Sequence, residues 1–192
     1  YQKCKHDILF WINTLVYTKD PRKSVSHLPF ITYPFQDKAI KAIEAAIDNG
    51  EDLLAEKSRD VGASWMAIYV IVHKWLFEDG SDFRVGSRKE EFVDRGQGET
   101  DSLFGKVRFT LKYLPEFIMP CKFNWQKNSS YMKITNPNRG NNIVGESSNA
   151  NFGTGARSKA ILLDEYSKWD FAESVWTSTG DVSPCRIPIS TP

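Results

Sequence analysis

From Leu53 onward, short apolar runs alternate with helical patterns, and few folds accommodate that alternation. Residues 53–56 read as a short strand. A polar loop follows, and residues 64–77 read as a helix with Trp65, Ile68, Tyr69, Val72 and Leu76 on one face. Residues 83–85 form a second predicted strand, and Gly86-Ser87-Arg88 is expected to open a second helix. After a polar, glycine-bearing stretch at 94–102, expected to be a mobile loop, Phe104, Val107, Leu111 and Leu114 carry a helical face as far as Pro115. Residues 131–134 and 142–146 suit a hairpin turning at 136–140. Residues 160–163 are continuously apolar and end in Asp164-Glu165, as a buried central strand would. Residues 185–189 repeat the pattern before Ser190-Thr191-Pro192. The alternation predicts an α/β domain with a mostly parallel central sheet flanked by helices.

The residues before position 50 differ and read as mainly helical. Ile8, Trp11, Ile12 and Leu15 recur at helical spacing, as do Ala39, Ile40, Ile43, Ala46 and Ile47, with Pro29 and Pro34 breaking the chain between the two groups. Asn49-Gly50 is a helix-stop signal. Residues 1–34 are expected to be a helical N-terminal extension, and 35–192 the α/β domain proper. The length, 192 residues, suits one such domain, and the 41% of apolar residues suffices for a core. A net charge of +1 leaves no basic footprint, so a nucleic-acid partner cannot be argued from bulk charge. No apolar run approaches the ~20 residues needed to cross a bilayer. Cys4, Cys121 and Cys185 lack C-x-x-C spacing, which favours a reducing interior over disulfides or zinc. Starting at Tyr1 and stopping at Pro192 after an apolar run, the chain reads as a fragment of something longer.

The chemistry concentrates in the loop before the first α/β helix. Residues 57–64, K-S-R-D-V-G-A-S, match the length of the phosphate-binding pattern G-x-x-x-x-G-K-[ST], whose backbone N–H groups cradle phosphates. Gly62 and Ser64 stand where the second glycine and the hydroxyl belong. Ala63 fills the lysine slot and Lys57 the slot of the first glycine, so the positive charge sits on the other lip. Such a loop between strand and helix favours an anion, and residues Lys57, Ser58, Arg59, Asp60, Val61, Gly62, Ala63 and Ser64 are the candidate nucleotide cradle. Lys57 or Arg59 would reach phosphate oxygens, and Ser64 would hold Mg2+. Taken alone, these residues fit a solvated loop equally well.

The run A-I-L-L-D-E-Y changes the balance, because it has the form of a Walker B strand. Asp164 would hold Mg2+ through its water shell, and Glu165 would orient or deprotonate the attacking water. Gln36, after Phe35, has an amide able to pair with both edges of adenine, and Thr191 lies where hydroxyls would sense the γ-phosphate. Arg157, in N-F-G-T-G-A-R-S-K, is a candidate arginine finger for its own nucleotide or a neighbour's. The expected ligands are ATP and Mg2+.

Together the K-S-R-D-V-G-A-S-W loop, Phe35-Gln36, I-L-L-D-E-Y, V-G-S-R-K-E-E, the G-x-G-x-R approach to the acidic pair and the terminal S-T-P resemble the ATPase domain of large terminase subunits, the DNA-packaging motors of tailed bacteriophages. The resemblance runs from about residue 35 to 192. It implies a P-loop NTPase fold of the ASCE/RecA-like kind and ATP hydrolysis that drives double-stranded viral DNA into the procapsid. It also implies a homo-oligomeric ring at the portal protein, a monomer with slow turnover in isolation, a small terminase subunit as partner, and action in the host cytoplasm rather than in the virion. The family's C-terminal nuclease has no counterpart in these residues, so the stretch is expected to hydrolyse ATP without cutting DNA. Two other readings stand beside this one. A nucleic-acid helicase core shares the glutamine, the acidic pair and an S-x-T-like motif but usually keeps the lysine that Ala63 replaces. A degenerate module that binds without hydrolysis would have no use for Asp164-Glu165.

Overall fold

The computed structural model describes every residue except Pro21, Ser26, Gln97, Gly98 and Ala150, so the expected mobile loop at 94–102 lies partly outside the described residues. Two helices, α1 (Gln2–His6) and α2 (Ile8–Leu15), open the chain and lead into an antiparallel ribbon of β1 (Tyr17–Thr18) and β2 (Leu28–Pro29). Helix α3 (Pro34–Asn49) starts with Pro34 in its first turn, where a missing N–H costs nothing, and stops at Gly50 with φ 69°. Then come β3 (Ala55–Glu56), α4 (Ala63–Phe77), β4 (Phe83–Ser87), α5 (Glu90–Val93) and α6 (Leu103–Tyr113). The remainder is α7 (Trp125–Asn128), β5 (Ser129–Ser130), β6 (Lys133–Thr135), β7 (Asn142–Ser147), β8 (Ala160–Asp164), α8 (Ala172–Gly180) and β9 (Arg186–Ser190).

Seven strands form one sheet in the order β3-β9-β8-β4-β7-β6-β5. The first five run parallel to one another, and β6 and β5 add an antiparallel margin through the predicted hairpin. Strand β8 shows why its sequence is continuously apolar. Ala160 and Leu162 face the main core, whereas Ile161 and Leu163 face a smaller one with Phe152, Trp169 and Val175, so both faces are buried.

Three expectations change. Gly86 and Ser87 do not open a helix: they complete β4, paired in register with Leu163 and Asp164 on one side and Glu146 and Ser147 on the other. Strand partners on both sides outweigh the local turn signal, and a Cβ at Gly86 would collide with the Phe152 ring and lie 2.9 Å from Trp169. Helix α4 is not amphipathic, because all residues from Met66 to Phe77 are buried. The N-terminal residues add to that burial, beside α3 and α6. Cys4, Ile8, Trp11, Ile12, Val16 and Phe30 belong to the same core as α4, Trp11 packs on His73, and the Tyr69 hydroxyl donates to the Tyr17 carbonyl at 3.2 Å. Described residues among the first 34 thus contribute to the core, and they include a β-ribbon as well as helices.

Candidate functional site

Parallel strands aim their C-terminal ends at one edge of the sheet, where open α/β folds place their ligands. Here that edge carries Glu56 of β3, Ser190 of β9 and Asp164 of β8. The loop after β3 is fastened to the sheet by the Lys57 N–H, which donates to the Ser190 carbonyl at 2.9 Å. It then turns through two left-handed residues, Asp60 (φ 62°) and Gly62 (φ 79°), the second of them the N-cap of α4. Glycine adopts that conformation freely, whereas an L side chain is strained there.

A cavity of about 360 Å³ opens against this loop, lined by Lys57, Asp60, Val61, Gly62, Ala63 and Ser64 together with Gln36, Trp65 and Lys106. Its outer wall comes from the β1–β2 ribbon and its flank: Thr18, Lys19, Asp20, Arg22 and Phe30. The Ser64 hydroxyl donates to Asp164 Oδ1 at 2.8 Å, joining the first turn of α4 to the end of β8. Lys57 Nζ lies 3.5 Å from Glu165 Oε1, and Lys168 Nζ lies 3.5 Å from Glu165 Oε2. The four residues that sequence reasoning placed at the heart of the site, Lys57, Ser64, Asp164 and Glu165, thus come together. Glu165 also holds a left-handed backbone, φ 56°, an uncommon conformation for a residue other than glycine.

Burial pushes the Asp164 carboxyl above its ordinary range, an effect that the Ser64 hydrogen bond and the charges of Lys106 and Lys57 only partly offset. A half-buried carboxylate short of positive charge, touched by a hydroxyl, suits a hard cation. Ser87, in register with Asp164, adds a buried hydroxyl that has no hydrogen-bond partner among the described residues. The described residues hold no cluster of three or more His, Cys, Asp or Glu side chains. Mg2+ needs no such cage, since it is commonly held by one or two carboxylates, water and substrate phosphates. The donor set therefore fits a nucleotide-borne Mg2+.

The other candidates are placed differently. Ser58 and Arg59 are exposed and do not line the cavity. The Gln36 amide is engaged within the protein: Oε1 accepts from the Tyr33 N–H at 3.0 Å and Nε2 donates to the Val61 carbonyl at 3.1 Å, which braces the loop. The Thr191 carbonyl accepts from the Ser167 hydroxyl at 3.2 Å, and Ser167 also contacts the Ser190 hydroxyl, linking the end of β9 to the turn after Glu165. Arg157 is exposed and precedes the first residue of β8. The strand's rise of ~13 Å separates that end from Asp164.

Two contributions escaped sequence reasoning. The ribbon wall carries no motif. Lys106 comes from α6 and belongs to no pattern around the loop, its one local sign being a cation in a helix's first turn, where the dipole disfavours it.

No protein-family model matches the chain, and neither does any curated protein. Solved structures do. The crystal structure of the HK97 bacteriophage large terminase aligns with a TM-score of 0.64 at 16% identity, covering 97% of this chain and 37% of that one. The ATPase domain of the Thermus phage P74-26 large terminase aligns at 0.53 and 16% identity, and a point variant of it at 0.52 and 17%. Each alignment covers 78% of this chain and 64% of the other. The fold is that of a large-terminase ATPase domain. The chain spans little more than a third of the HK97 terminase and under two thirds of the P74-26 terminase domain. Within this terminase-type fold, no helix among the described residues is long and apolar enough to cross a membrane.

Proposed function

We propose that this chain is the ATP-hydrolysing motor unit of a phage DNA-packaging terminase. The Ser64–Asp164 hydrogen bond carries the reading, because it brings the hydroxyl of a phosphate-type loop onto the acidic end of the neighbouring strand, with Lys57 and Glu165 alongside. The terminase-type fold supports it.

In this reading the N–H groups at the start of α4 receive the phosphates, with Gly62 allowing close approach. Lys57 exchanges its loose contact with Glu165 for the β- and γ-phosphate oxygens. That exchange frees the Glu165 carboxylate to orient the attacking water and accept its proton. Ser64 and Asp164 would hold Mg2+, which would supply neutralisation of the phosphate charge. Gln36 keeps Val61, and with it the loop, in the receiving conformation. Arg157, exposed at the other end of β8, serves a neighbouring subunit's nucleotide in a ring. The wider reading includes double-stranded DNA, the portal protein, the small terminase subunit and further copies of this chain as partners.

The test is ATP turnover by three variants. Glu165→Gln is expected to retain ATP binding and lose turnover. Lys57→Ala is expected to lose turnover, and Ala63→Lys in that background to restore part of it. Full activity in Lys57→Ala alone would overturn the relocated-lysine mechanism. Turnover that rises with protein concentration, and falls in Arg157→Ala only when subunits associate, is the outcome that supports the ring.

A further inference from the structure

We infer that Lys106 is a second phosphate-binding cation of this site, supplying from α6 the charge that the loop lacks at Ala63. The inference rests on the nucleotide reading above and deepens it.

Lys106 lies in the first turn of α6, just after the Ser102 N-cap, where the helix dipole opposes a positive charge. A carboxylate partner would ordinarily compensate, yet no acidic side chain forms an ion pair with Lys106 among the described residues. Its Nζ donates instead to the Asp101 carbonyl at 3.1 Å and stands at the outer limit, 3.5 Å, from the Ser102 carbonyl. The side chain runs past Trp65, with the ammonium 5.6 Å from the ring centroid, and it lines the same cavity as Lys57, Gly62 and Ser64. Burial lowers its affinity for a proton, and the charges that sustain it are Asp164 first and Asp101 second. A half-buried ammonium satisfied by neutral oxygens is under-compensated. The cavity it lines with Lys57 and Ser64 is where the magnesium-chelated triphosphate, still anionic, would sit.

The geometry divides the work between two lips. Lys57 follows β3 and Lys106 belongs to α6, and both line the cavity together with Ala63, Ser64 and Trp65 of the first turn of α4. A standard loop delivers one lysine from the helix start; here two flanking lysines replace it. If Lys106 did no more than fasten the start of α6 through the Asp101 carbonyl, its loss would lower stability and leave nucleotide affinity alone.

The experiment measures binding of a fluorescent ATP analogue and the melting temperature for wild type, Lys106→Met, Lys106→Arg and Lys57→Ala. Lys106→Met keeps a stem of similar length over Trp65 and removes only the charge. It is expected to weaken ATP binding roughly 10- to 100-fold, the range for losing a charge-assisted hydrogen bond, with little change in binding of the AMP analogue or in the ligand-free melting temperature. Lys106→Arg is expected to recover part of the loss. Unchanged ATP affinity in Lys106→Met, beside a loss in Lys57→Ala, overturns this inference and leaves the site reading standing. No ATP binding by wild type overturns both. Should Lys106→Met fail to fold, lysine methylation of wild type followed by mass spectrometry decides the matter. ATP is expected to protect both Lys57 and Lys106, and protection of Lys57 alone refutes the role of Lys106.

Discussion

The two ends of the parallel sheet treat charge in opposite ways. At the end away from the phosphate-type loop, cations sit against carboxylates. Lys74, almost fully buried, lies 2.5 Å from Asp48 and 2.9 Å from Glu78, Lys159 lies 2.6 Å from Glu78, and Arg186 grips Asp52 with two nitrogens. At the loop end, Lys57 and Lys168 each stand 3.5 Å from Glu165 and Lys106 donates to backbone carbonyls, while the exposed Arg22, 3.8 Å from Asp60, is paired with Asp20 at 2.9 Å. Closed pairs hold elements together, whereas loosely held cations around a buried carboxylate leave capacity for an incoming anion. The contrast separates the part of the molecule built for stability from the part built for a ligand.

The largest effect expected to sharpen this contrast is kinetic. Lys57→Ala should reduce ATP turnover by about 10²–10³-fold, the usual loss for one donor aimed at developing negative charge, with the melting temperature nearly unchanged. A large stability loss with intact turnover would reverse the roles of the two ends. Next comes Glu78→Gln at the closed end, expected to cost about 1–3 kcal/mol in urea unfolding, because Lys74 and Lys159 lose a shared partner. Burial alone would raise the Glu78 carboxyl, but its hydrogen bonds to Lys159 and Lys74 outweigh this and hold it below the ordinary range. The stability it contributes is therefore present above the unfolded carboxylate pKa and disappears as pH falls through the depressed folded value. A flatter acid limb in Glu78→Gln is the check.

Gly62→Ala should cost about 1–2 kcal/mol through its left-handed backbone, measurable as a lower unfolding midpoint. Asp164 carries the opposite pH sign from Glu78. Its carboxyl is raised by burial, so in the nucleotide-free protein the charged form costs stability, and that cost grows as pH rises through the raised pKa. Asp164→Asn should accordingly raise the melting temperature at neutral pH while Mg2+-dependent turnover is lost; a lower melting temperature would erase the difference between the two ends. The smallest effect belongs to Arg22→Ala. Arg22 is exposed in its pairs with both Asp20 and Asp60, and urea unfolding should not distinguish the variant from wild type.

Much of this arrangement is legible along the chain because the signals are local. Apolar run, glycine-bearing loop and apolar helix identify the strand–loop–helix unit, and the doubly buried β8 announces itself as an unbroken apolar run before two acids. What failed were local signals overruled by neighbours distant in sequence. Gly86-Ser87 looks like a turn until β7 and β8 pair with it on both sides. The helical face assigned to α4 underestimates its burial, since α2, α3 and α6 all pack on it. Gln36 is recognisable as a site residue, but the Val61 carbonyl that holds its amide is 25 positions away and shares no pattern with it.

By itself the sequence determined the strand and helix alternation, the loop with its displaced lysine, and the acidic pair, since hydrophobic period and backbone permissiveness act over a few residues. The tertiary structure alone decided which cations share the cavity. Parallel pairing aligns the ends of β3 and β8, so the loop after β3 sets Ser64 against Asp164, and the packing of α6 brings Lys106 into the same cavity, although their separation along the chain carries no mark of it.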